Sequence, residues 1–127
     1  MSDVQKPEIG KISWVDLTVE DAEGIRDFYC EVVGWQAQDH SMGDYNDFEI
    51  QAPNSGVTVA GICHARKTNA NVPAQWLVYV NVADVDVSAA RCLEQGGKVV
   101  DGPRMMGNNC FCIIQDPAGA VIGLMSG

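Results

Sequence analysis

The second half of this chain repeats the plan of the first, and this duplication constrains the fold more than any single motif. With a constant shift of 63 positions, Asp21 falls on Asp84, Val19 on Val82 and Gly34 on Gly97. The same shift lays Trp14 on Leu77, Asp16 on Tyr79 and Thr18 on Asn81. Self-similarity at a fixed offset marks a duplicated supersecondary unit.

Each half reads as a strand, a helix and three further strands. Ile12 to Val19 is rich in β-branched and aromatic residues, with Val15, Leu17 and Val19 on one face and Trp14, Asp16 and Thr18 on the other. Asp21 is placed to cap a helix in which Ala22, Ile25, Phe28, Tyr29, Val32 and Val33 recur at helical spacing, and Gly34 ends it. Strands are expected at 35–38, 47–51 and 57–64, separated by turns at 42–44 and 53–56. In the second half a strand at 76–82 precedes a helix through Ser88, Ala89, Cys92 and Leu93, stopped at Gly96-Gly97. Strands at 98–100, 109–115 and 120–125 follow, with turns at 101–103 and 116–119. Gly43, Gly102 and Gly107 read as turn glycines. The expected fold is α+β: two tandem βαβββ modules forming a curved, mostly antiparallel sheet around a cavity, with helices outside. We expect one domain over 1–127, with modules at about 10–65 and 74–126 joined by a polar loop at 66–73, and residues 1–9 as a loose arm.

Composition narrows the function. At 127 residues and 46% hydrophobic, the chain is long enough for a core without staples. Seventeen acids against eight bases give a formal charge of -9, which argues against a nucleic-acid backbone or an anionic membrane as partner. No apolar run approaches the roughly 20 residues that span a bilayer, and the first residues lack a signal-peptide core, so the expected location is the cytoplasm. Five cysteines, an odd number with no CxxC, suggest reduced thiols. No phosphate-binding loop, nucleophile elbow or Rossmann fingerprint is present.

Trp14-Val15-Asp16-Leu17-Thr18-Val19, Asp21, Phe28-Tyr29 before Gly34-Trp35, Tyr79 to Val85, Gly96-Gly97 and Asp116-Pro117-Ala118-Gly119 occur in this order from Ile12 to Met125. In this arrangement the chain resembles the vicinal oxygen chelate superfamily: glyoxalase I, bleomycin-resistance proteins and extradiol dioxygenases. Gly61 to Ala65, with Pro73 and Trp76, looks like a glyoxalase-like branch of undefined function. The resemblance implies a small-molecule site, commonly in a homodimer. It also implies a divalent metal held by four positions, which here match Trp14, Gly61, Leu77 and Gly123. None of these side chains offers a carboxylate, amide or imidazole donor, so no metal and no cofactor is expected.

The candidate ligand-binding residues are therefore Trp14, Asp16, Leu77 and Tyr79. Trp14 would supply a flat wall for a planar ligand or simply fill the cavity. Asp16 would act as general base or polar anchor, or else satisfy nearby backbone. Tyr79 would be donor and wall, or ordinary core. His64, at a strand end, is an acid–base candidate, or else a residue that is solvated or caps a turn. A zinc site from Cys110, Cys112 and His64 is weighed against buried thiols, and the buried reading is preferred. His40 reads as surface in a polar loop, and alternation alone leaves the facing of Glu49 open. The leading expectation is a metal-free, resistance-protein-like binder of a small organic molecule. Its rival is a metal-independent lyase or isomerase using Asp16 or His64 as base, with Tyr79 as donor, and a metal-dependent glyoxalase or dioxygenase is a minor third reading.

Overall fold

A computed structural model describes residues 8–66 and 69–127 of the chain. The predicted arm falls largely on residues 1–7, which lie outside the described residues, as do positions 67 and 68 of the predicted loop. The fold is α+β with tandem βαβββ modules. The elements are β1 (Ile12–Val19), α1 (Ala22–Val33), β2 (Gln36–Ser41), β3 (Asn46–Gln51), β4 (Thr58–His64), β5 (Leu77–Asn81), α2 (Val85–Glu94), β6 (Lys98–Met106), β7 (Asn109–Gln115) and β8 (Val121–Ser126). They form two compact units, Trp14–Leu77 and Val78–Gly127 together with residues before Trp14.

In the first unit the strand order is β2-β3-β4-β1. β1 runs parallel to β4, while β2/β3 and β3/β4 are antiparallel. Helix α1 starts where expected: the Asp21 carboxylate accepts a hydrogen bond from Gly24 N at 3.1 Å. It ends at Gly34, whose φ of 84° suits glycine and whose N–H reaches Cys30 O at 3.0 Å. Leu17, Ala22, Phe48, Ile50, Ala60 and Ile62 make the core, with Ile25 and Tyr29 of α1 packed against it. The expected apolar stripe is covered only toward its start, since Phe28, Val32 and Val33 remain exposed. Strand β2 runs to Ser41, so His40 sits on an exposed edge strand rather than in a loop.

The second unit has the order β5-β8-β7-β6, again with its first strand parallel to its last. Asp84 caps α2 by accepting from Asp86 N (2.9 Å) and Val87 N (3.2 Å). Val85 and Ala89 face a core that includes Cys112 and Leu124, whereas Leu93 is exposed. The Asp116 carboxylate accepts from Ala118 N and Ala120 N, closing the β7–β8 turn. Asn81, buried, ties down the residues before β1. It accepts Gly10 N through its backbone oxygen and Ser13 Oγ through its side chain, and donates to Glu8 O, so Glu8 is fastened rather than loose. The largest departure is at 101–103, expected as a turn. There β6 continues to Met106 through an irregularity, and Gly102 is inside the strand.

Candidate functional site

The register of the first unit places four positions in one row: Asp16 opposite Gly61, Gly61 opposite Glu49, and Glu49 opposite Gln38. Residues paired directly across strands share a face, as do residues two apart. Trp14, Asp16, Glu49 and Gln38 therefore lie on one face, while Leu17, Phe48, Ile50 and Ile62 form the opposite, helix-covered face. This settles the facing of Glu49, which sequence alternation left open. Its carboxylate accepts from Thr58 Oγ1 (3.4 Å) and pairs with His40 Nδ1 (3.2 Å). Gln51 Nε2 donates to Gln38 Oε1 at 2.8 Å beside it. The face is thus a patch of amides, carboxylates and a hydroxyl next to a half-buried indole. Gln38 and Thr58 were not singled out from sequence, because only strand pairing puts them beside Asp16.

Gly61 keeps this patch open. A Cβ there would stand 3.3 Å from Trp14 Cζ2 and 3.5 Å from Asp16 Cβ. Gly123, in the other unit, pairs with Tyr79, and a Cβ there would fall 2.8 Å from Tyr79 Cγ and closer still to two further ring carbons. Ring atoms thus crowd the very spots from which donor side chains would project at 61 and 123. Leu77 and Tyr79 are both buried. Among the described residues, no three His, Cys, Asp or Glu side chains cluster to hold a metal. The residues present do not fit the divalent ion that the resemblance implies.

The cysteines match the apolar reading. Cys112 is fully buried and Cys110 packs into the same cluster. Burial first, then Cys92, Asp101, Cys110 and Asp86, pushes the Cys112 thiol up to about 11. Burial, then the negative charges of Asp16 and Asp47, holds the Cys63 thiol well above its ordinary value. Both are therefore poor nucleophiles near neutral pH.

His64 lies elsewhere. It pairs with Val19, three positions after Asp16, so strand alternation puts Asp16 and His64 on opposite faces. The two candidate bases cannot serve one reacting atom together. His64 N donates to Asp47 Oδ1 at 2.9 Å, and its Nδ1 lies 3.3 Å from the same oxygen. Tyr45 meets the imidazole edge-on at 5.6 Å, and Phe48 lies at 6.0 Å. The side chain is only 18% exposed, so the solvated reading of His64 does not hold.

Comparison with known proteins agrees with the fold. A "Putative glyoxylase CFP32" of Mycobacterium tuberculosis is 29% identical over 117 residues, covering 91% of this chain and 45% of that protein. The anthracycline biosynthesis protein DnrV of Streptomyces peucetius is 28% identical over 114 residues, covering 87% of this chain and 39% of the relative. This chain therefore spans less than half the length of either relative. A solved Streptomyces coelicolor methylmalonyl-CoA epimerase variant, in complex with 2-nitronate-propionyl-CoA, superposes with a TM-score of 0.57 at 15% identity, covering 94% of this chain and 96% of that one. The family model described as Glyoxalase/Bleomycin resistance protein/Dioxygenase superfamily matches residues 11–124. Tandem βαβββ modules, each with its first strand parallel to its last, and a match over nearly the whole chain lead to one conclusion: this chain belongs to that superfamily.

Proposed function

We propose that this chain binds a small organic molecule without a metal, on the face of the first unit that carries Trp14, Asp16 and Glu49. The observation that carries the reading is the bare backbone of Gly61 flanked by the Trp14 ring and the two carboxylate-bearing positions of its row. An indole beside an open glycine suits a flat ligand, and the acids suit hydroxyl or amine donors on it. Leu77, in the same unit, joins the proposal as an apolar contact, and Tyr79 as an apolar contact for a ligand on the second unit's own face. The solved neighbour is in complex with 2-nitronate-propionyl-CoA. A formal charge of -9 and an acid-lined face oppose such a polyanion, so we favour a neutral or cationic ligand end at this patch. Pairing as a homodimer through an exposed sheet edge such as β2 completes the proposal, and light scattering after gel filtration reads it directly.

Isothermal titration against aromatic and peptide-like compounds tests the binding. We expect at least one binder whose affinity falls about tenfold or more in Trp14→Ala, in line with aromatic contacts at buried positions. A broad panel with no binder, or a binder indifferent to Trp14, counts against the reading.

A second reading, a metal-independent lyase or isomerase, draws support from the Asp47–His64 pair. A carboxylate on Nδ1 orients an imidazole and leaves Nε2 to take a proton. Under this reading His64→Gln abolishes turnover with a near-native melting temperature, and Asp16→Asn does the same if Asp16 is the base instead. Retained turnover in both variants removes this reading.

A further inference from the structure

We propose that Arg104 is a ligand-recognition residue, holding a planar two-oxygen anion such as a carboxylate on the Tyr79 face of the second unit. This rests on the small-molecule reading above only in that the chain takes small organic ligands; it concerns the face of the second unit alone and names a chemical class for that face.

The argument begins with an irregularity in β6. Asp101 pairs with Ile113 and Arg104 with Phe111, so three steps along β6 match two along β7. On a regular strand, residues three apart face opposite ways. The one extra residue turns Asp101 and Arg104 to the same side. Gly102 makes this possible: its φ is +87°, and a Cβ there would stand 2.7 Å from Phe111 O. The face is identified by register. Asp101, Ile113, Gly123 and Tyr79 form one row, and Arg104, Phe111, Met125 and Asn81 the next.

On that face Arg104 is held on two sides. Its Nε donates to Asp101 Oδ1 at 3.2 Å and its Nη2 to Asp101 Oδ2 at 2.9 Å. The guanidinium carbon lies 4.5 Å over the Phe111 ring. The Asp101 side chain is 10% exposed and that of Arg104 is 35% exposed. Among the described residues nothing else hydrogen-bonds the guanidinium, which leaves Nη1 and the second N–H of Nη2 available.

These facts separate Arg104 from an ordinary surface arginine. Arg26 also covers a ring, Phe48, but its carboxylate partner Asp27 is 71% exposed and so fixes little. Arg104 is ordered by a nearly buried acid and a buried ring before any ligand arrives, so binding pays little further side-chain entropy. The Asp101 charge offsets the net attraction for a diffuse anion. What remains is directional: adjacent N–H groups whose plane matches a carboxylate.

Sodium benzoate and methyl benzoate are suitable probes, since they share the ring and differ in the anion. We expect benzoate to shift the Arg104 Nε–Hε resonance in ¹⁵N NMR and to bind about tenfold or more tighter than the ester. Arg104→Gln should abolish that preference. Arg104→Lys, which keeps the charge without the fork, should lose most of it. If Arg104→Gln does not fold, the wild-type resonance and Arg104→Lys still decide. Equal binding of acid and ester, or benzoate binding that leaves the Arg104 resonance unmoved, overturns the role of Arg104 while the small-molecule reading stands. Binding of neither probe, with no hit in the wider panel, removes both.

Discussion

Replacing Gly123 by Ala is the sharpest test of how the second unit is built. The new methyl group has to occupy space held by the Tyr79 ring, 2.8 Å from Cγ and nearer to two other carbons. Tyr79 is 5% exposed, so the ring has little room to retreat. Gly123 is not among the positive-φ glycines, so the cost is steric rather than conformational. Overpacking of this kind costs about 1–3 kcal/mol. Set against the roughly 0.5–1 kcal/mol that alanine gains over glycine in a strand, the net cost is about 1–2 kcal/mol, and at about 3–6 °C per kcal/mol for a chain of this size a fall of about 3–12 °C is expected in calorimetry. Gly61→Ala is the internal control. Its methyl group meets Trp14 Cζ2 at 3.3 Å, and Trp14 is half-buried and able to tilt. Alanine also recovers roughly 0.5–1 kcal/mol of the backbone entropy that glycine loses in a strand, so the net change should be within about 1 kcal/mol. Adding Tyr79→Leu to Gly123→Ala should give a double variant more stable than the sum of the single changes, since the two share one clash. A Gly123→Ala protein melting within a degree of wild type, or a Gly61→Ala protein falling equally far, refutes the packing argument.

Three further outcomes follow from the same geometry. The folded state holds the Cys112 proton more tightly than the unfolded chain does, so this stabilising contribution is complete below pH about 9 and is lost as pH rises toward about 11; urea titrations across that window should show the decline, and Cys112→Ala should flatten part of it. Excess EDTA should leave the melting temperature unchanged, because positions 14, 61, 77 and 123 carry no donor side chain; a drop reversed by added zinc or manganese contradicts this. Asp47→Ala strips a partner from the backbone N–H and ring of His64 and should cost about 1–3 kcal/mol in urea unfolding; an unchanged midpoint would show that the pair contributes nothing to the fold.

The parts of this fold that local chemistry governs were legible in the sequence. Asp21 and Gly34 bracket α1 as expected, and Asp84, which the repeat lays on Asp21, caps α2, because cap preferences depend on a few adjacent residues. What depends on a distant strand was not. Gly102-Pro103 carries the same local signal in a turn as in a bulge, and only pairing with β7 shows that β6 runs on to Met106. Strand β2 lacks apolar alternation because it is an exposed edge, so His40 read as loop until its pairing with Asp47 placed it. Of the site residues, the shared face of Trp14 and Asp16 followed from alternation. The inclusion of Glu49 and Gln38 did not, since a row across a sheet is set by register, which no single strand encodes.

Register also shows how the duplicated halves diverged. The row through the first strand of one unit reads Asp16, Gly61, Glu49, Gln38, and its counterpart in the other reads Tyr79, Gly123, Ile113, Asp101. Both keep glycine in the last strand, beside the parallel first strand. The positions flanking it differ: Asp16 and Glu49 in one copy stand where the other has Tyr79 and Ile113, and Gln38 stands where the other has Asp101. Features that define the helices survived duplication (the caps Asp21 and Asp84, and a left-handed glycine after each helix, Gly34 and Gly96), while those lining the faces did not. A chelate needs donor side chains, and a glycine in each last strand removes one from each copy. With that constraint gone, the two faces were free to take up unlike chemistry: acceptors around an indole on one, rings and a fixed guanidinium on the other.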